Sequence, residues 1–101
     1  MICYIKCKMR PAGFSGEVTF EITTSEGTSH LGLASRRYLL TERGKPLSDE
    51  LRGESVGFVA ARLLEEHEDE TLVSIPDGEV VSVNSSQLIR PEITTNVPVG
   101  S

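Results

Sequence analysis

Apolar and polar residues alternate from the start of the chain. Cys3, Ile5 and Cys7 fall on one phase and Tyr4, Lys6 and Lys8 on the other, the period-two pattern of a strand with one buried face. The lysines are thereby aimed at water, and Pro11-Ala12-Gly13 breaks the run. Residues 17–22 give the cleanest alternation, with Val18, Phe20 and Ile22 on one face and acids or Thr19 on the other, which predicts a half-buried antiparallel strand. Ser25-Glu26-Gly27 supplies a turn glycine, and residues 29–33 return with Leu31 and Leu33 on one face, so the two segments form a hairpin. Residues 37–40 read as a short apolar continuation that runs into a polar loop over 41–46. Residues 48–53 open on an N-cap candidate, Ser48, carry early acids and end on Gly53, the signals of a single helical turn, with an irregular loop as the equal alternative.

Residues 55–67 fit two readings. As a helix, Val56, Val59, Ala60, Leu63 and His67 share a face, and the second half is rich in helix formers. As a strand, Phe58, Ala60, Arg62 and Leu64 alternate with Val59, Ala61 and Leu63, and neither face is polar. Beyond this segment the pattern is firm: a strand over 71–75, a turn at Pro76-Asp77-Gly78, a returning strand over 79–83, then a 3-10-like polar turn before Leu88 and Ile89. The order over residues 56–90, a hydrophobic strand, an acidic turn, a strand, Asp77-Gly78, a second strand and a polar turn ending in Leu88, resembles that of SH3-like barrels, including tudor and related modules. The resemblance implies a strand over 56–64. Such modules usually carry clustered aromatics on the binding face, whereas only Phe58 falls in the matching stretch, so no binding residues carry over.

The expected fold is therefore mainly β, a small, partly open SH3-like barrel or sandwich of antiparallel hairpins, and the rival is α+β with a helix over 56–66. A faint internal echo, from Gly27 to Leu39 and again from Gly78 to Leu88, runs from a turn glycine through a strand to a Ser-containing turn and a leucine. It reads as chance similarity between two hairpins, and it supports a two-hairpin design. With 101 residues, 38% of them hydrophobic, the chain has material for one core. One domain is expected over 1–90, with a mobile tail over 91–101.

No stretch has the roughly 20 apolar residues of a membrane span, and the N-terminus lacks the pattern of a secretion signal. A cytoplasmic location and no membrane partner are the expectations. Cys3 and Cys7 share a strand face but lie about 13 Å apart along it, too far to bridge, and read as buried core thiols. The net charge of −5 is uneven: residues 1–50 carry seven basic and six acidic side chains, residues 51–101 three and nine. That balance disfavours a non-specific nucleic-acid binder and leaves room for a basic patch on the first half.

Candidate chemistry is sparse. His67 sits in the acidic run over 65–70, which lacks the spacing and glycine of a calcium loop and reads as a solvated turn. His30 lies on the polar phase of its strand and reads as a surface side chain. Ser15 is not in a nucleophile elbow, and Cys7 has its flanking lysines on the opposite face, away from the thiol. Neither a metal nor a cofactor is implied. Arg36-Arg37-Tyr38 is the cluster that stands out, because guanidinium groups beside an aromatic can grip phosphate or carboxylate and stack on a base; Arg10, Arg43 and Lys45 are candidates to join it. The leading expectation is a non-catalytic interaction module for a protein partner or for copies of itself, through a sheet edge or barrel face. A nucleic-acid-associated barrel using Arg36, Arg37 and Tyr38 comes second, and a small redox or hydrolytic enzyme using Cys3 or Cys7 third.

Overall fold

A computed structural model describes residues 1–12, 16–47 and 53–89. The helical turn expected over 48–53, save Gly53, and the tail expected over 91–101 lie outside the described residues. Eight strands are present: β1 (Ile2–Pro11), β2 (Glu17–Thr23), β3 (Ser29–Ser35), β4 (Leu39–Thr41), β5 (Ser55–Glu66), β6 (Glu70–Ser74), β7 (Val80–Asn84) and β8 (Leu88–Ile89). Short 3-10 turns, Arg36–Tyr38 and Ser85–Gln87, precede β4 and β8. The strands make one antiparallel sheet in the order β3-β2-β1-β5-β6-β7, with β4 added to β5 and β8 to β1, curled into a half-barrel. The mainly β fold is as expected, and no helix among the described residues is long and apolar enough to cross a membrane.

The segment that fitted both helix and strand is β5, so the helical reading over 56–66 is wrong. Its competitor won through pairing: eight successive residues of β1, Ile2 to Met9, face Arg62 to Ser55 across one ladder, and that many backbone hydrogen bonds and the burial of Gly57, Val59 and Ala61 on the inner face outweigh the local helix preference of the Ala-Leu-Glu stretch. Gly57 has a packing reason, since a Cβ there would run into the Leu40 carbonyl oxygen and the Met9 side chain. The inner phase of each strand forms the core: Cys3, Ile5, Cys7 and Met9 from β1, Val18, Phe20 and Ile22 from β2, Val59 and Ala61 from β5, with Leu39, Val73, Ile75 and Val83. Thr71 is the buried polar residue of this core. Its hydroxyl lies 2.8 Å from that of Ser85, which donates in turn to the His67 carbonyl, so burial leaves it satisfied.

An approximate two-fold axis passes through the Ile5–Val59 pair. About it, Cys3–Ala61 exchanges with Cys7–Gly57, Tyr4–Ala60 with Lys6–Phe58, and Ile2–Arg62 with Lys8–Val56. The short strands obey the same axis: Leu39 and Leu40 of β4 pair with Val59 and Phe58, while Leu88 and Ile89 of β8 pair with Ile5 and Tyr4. Each half of the chain is thus a long strand, a hairpin, a 3-10 turn and a short strand donated to the other half. The hairpin turns match as well, through Gly27 at φ 86° and Gly78 at φ 94°, a backbone region that favours glycine. The echo between residues 27–39 and 78–88 is therefore the visible part of a wider equivalence that includes β1 and β5, not a resemblance confined to two hairpins.

Curling brings the outer strands of the two halves together. The Ser25 N–H donates to the Ser82 carbonyl at 2.8 Å, and the two hydroxyls are 3.1 Å apart. His30 Nε2 lies 2.9 Å from Asp77 Oδ2, and Asp77 Oδ1 accepts from the Glu79 N–H. The expectation of a solvated His30 missed this partner, because Asp77 is 47 residues away in sequence. Gly32 makes the approach possible, as a Cβ on it would meet the Asp77 carboxylate and the Phe20 ring.

Candidate functional site

Among the described residues, three of the clefts on the outer face of the β1–β5 ladder are related by the approximate two-fold axis. The first, about 350 Å³, is lined by Ile2, Tyr38, Ala60, Ala61, Arg62, Ser74, Ile75 and Pro76. Alternation along β5 sends Arg62 outwards while Val59 and Ala61 point into the core. Tyr38 reaches the cleft because it is the last residue of the 3-10 turn that carries the chain from β3 to β4. The residue is 39% exposed. The Arg37 guanidinium lies over the Tyr38 ring, 5.2 Å from its centroid, and Nη2 donates to the phenol oxygen at 3.3 Å. A cation over an aromatic face is held by the ring quadrupole. Among the described residues no carboxylate lines this cleft, and neither Arg37 nor Arg62 has an acidic partner.

The second cleft, about 310 Å³, is lined by Lys6, Cys7, Lys8, Glu21, Thr23, Ser29, Val56 and Gln87. The axis carries Lys6, Cys7 and Lys8 onto Ala60, Ala61 and Arg62, Val56 onto Ile2, and Gln87 onto Tyr38. One backbone design is thus used twice with different side chains. Between the two lies a third cleft of about 230 Å³, where Tyr4, Leu40, Phe58 and Ile89 meet the loop carrying Glu42, Arg43 and Gly44. The axis exchanges Tyr4 with Phe58 and Leu40 with Ile89.

The sequence cluster Arg36-Arg37-Tyr38 is therefore split by its 3-10 geometry. Arg37 and Tyr38 act together, whereas Arg36 is half-buried and its N–H donates to the Gly16 carbonyl. No hydrogen bond, ion pair or ring contact joins Arg10, Arg43 or Lys45 to the cluster; Arg43 lines the central cleft. Arg62 and Gln87 escaped the sequence reading. Arg62 sits in an apolar-looking run, and nothing in the sequence places Gln87 against β1.

Of the remaining candidates, Ser15 lies outside the described residues. Cys3 and Cys7 are buried and form no disulfide, and burial pushes the Cys7 thiol up to about 12, so it stays protonated and a poor nucleophile near neutrality. His67 is exposed at the β5–β6 turn, 3.6 Å from Glu65. No group of three or more His, Cys, Asp or Glu is arranged to hold a metal ion among the described residues. No family model, curated protein or solved structure matches the chain significantly.

Proposed function

We propose that the protein is a non-catalytic interaction module that holds an extended acidic segment of a partner protein on the outer face of β1 and β5, with the Tyr38 cleft as its principal contact. The observation that carries this reading is the Arg37–Tyr38 stack beside a cleft that contains Arg62 and, among the described residues, no carboxylate. A guanidinium offers a planar set of donors matched to a carboxylate, and a tyrosine ring supplies contact area at small cost in conformational freedom.

A second reading has one observation in its favour: an arginine stacked on an exposed tyrosine is also a platform for an unpaired base. The chain's charge of −5 weighs against either anionic ligand, and more heavily against RNA, which carries a charge on every phosphate. Fluorescence anisotropy with a labelled glutamate-rich peptide and a labelled single-stranded RNA separates the two. The peptide should bind, and R37A combined with Y38A should weaken it about tenfold, equivalent to about 1.4 kcal/mol. An affinity unchanged by both substitutions rejects the Tyr38 cleft as the site. Tight RNA binding that falls steeply with salt replaces the peptide reading with the nucleic-acid one.

A further inference from the structure

We infer that the Gln87 cleft is a second recognition site, and that one extended peptide with acidic residues near both ends runs from the Tyr38 cleft across the approximate two-fold axis to Lys6 and Lys8. The inference rests on the reading that the Tyr38 cleft takes an acidic segment. Three observations independent of that reading point to the Gln87 cleft.

First, the two clefts share one backbone frame, because the pairs Ile2–Arg62 and Lys8–Val56 exchange about the axis. Second, Lys6 and Lys8 are both exposed on the outer phase of β1, and neither has a carboxylate in ion-pair distance among the described residues. Glu21, which faces Lys8 across the β1–β2 ladder, is the one acid lining the cleft against these two cations. Third, the Gln87 side-chain oxygen is buried and has no hydrogen-bond partner. Buried polar atoms without partners are rare in folded proteins, and the backbone N–H of an extended peptide supplies the missing donor. With the amide turned over, the buried atom becomes a donor instead, and a peptide carbonyl or carboxylate supplies the acceptor.

The spacing and the middle of the face define the ligand. Ile2 and Lys8 are six positions apart on β1, about 20 Å of extended chain, so the ligand needs about five residues between its acidic ends. What lies between is the apolar central cleft of Tyr4, Phe58, Leu40 and Ile89, where Glu42 and Arg43 offset each other in charge. The central residues of the ligand are therefore apolar on alternate positions. Two anionic ends on one chain raise the effective concentration of the second once the first is bound.

Calorimetric titration of the full chain with two synthetic peptides tests this. Both share a central alternating valine-threonine segment of the stated length; one has glutamate pairs at both ends, the other has glutamines replacing the pair at one end. The double-ended peptide should bind at least about tenfold tighter than the single-ended one. K6Q combined with K8Q, two exposed substitutions whose folding is checked by amide dispersion, should bring the double-ended peptide down to the single-ended affinity. Equal affinities of the two peptides, or a double-ended affinity unmoved by K6Q and K8Q, overturns the second site. R37A with Y38A keeps the two claims apart. If it still weakens both peptides while K6Q and K8Q do nothing, the Tyr38 reading stands and the second site falls. If it weakens neither, the Tyr38 reading falls with it.

Discussion

Tyr38 and Gln87 occupy the same place in two halves of one sheet, each at the end of a 3-10 turn and each at the mouth of a cleft, yet one cleft presents an aromatic and guanidinium groups and the other two ammonium groups and an unpartnered amide oxygen. The inner face tells a different story. There most equivalent pairs stay apolar, as Ile5 with Val59, Met9 with Leu63, Ile22 with Ile75, Ala34 with Val83 and Leu39 with Leu88, while Val18 answers to the hydrogen-bonded Thr71. Packing fixes hydrophobicity and approximate volume at these positions, whereas the outer face is released from that demand. Where the two halves differ most is thus where the fold asks least, and that is the surface on which we propose that a ligand is recognised.

The strongest way to break the comparison is at Cys3 and Gly57, which exchange about the axis. Cys3 has room for a side chain, while Gly57 faces the Leu40 carbonyl and Met9. Gly57→Val is expected to cost about 3 kcal/mol or more, a large share of a small domain's stability, measured by urea denaturation; Cys3→Ala should cost less than half of that. Equal costs would mean that the two halves pack alike at this point.

A subtler contrast uses Cys7, whose counterpart is Ala61. The folded protein holds the Cys7 thiol neutral up to about 12, against an ordinary value of 9.0. Above pH 9 the unfolded chain therefore loses this proton while the folded one keeps it, so the contribution is whole below pH 9 and is lost progressively as pH rises towards 12. Three units correspond to at most about 4 kcal/mol. Cys7→Ala, which copies the other half, should flatten the alkaline fall in stability measured at pH 8, 9 and 10. An unchanged slope would mean that other groups account for it.

Much of the fold could be read from alternation, because β1, β2 and the β6–β7 hairpin each bury one face and so show period two in sequence. β5 was ambiguous for a physical reason: its outer phase, with Val56, Phe58, Ala60 and Leu64, is nearly as apolar as its inner one, so the polar signal that distinguishes a strand was missing. The two-fold design was illegible because its decisive elements, β4 and β8, are three and two residues long, too short for any period, and pair with the opposite half of the chain. Of the candidate site, Arg37 and Tyr38 stood out as neighbours in sequence. Arg62 and Gln87 join the clefts only through long-range pairing, as Asp77 joins His30, and no local pattern reports such contacts.

The most direct test of the central claim is an amide correlation spectrum of the labelled protein, titrated with the single-ended glutamate peptide. The account predicts shifts concentrated at Tyr38, Ala60, Arg62 and Ser74, with smaller changes at Lys6, Lys8 and Gln87. Shifts confined to the exposed edges at Leu31 and Val80, or no shifts at all, would contradict it.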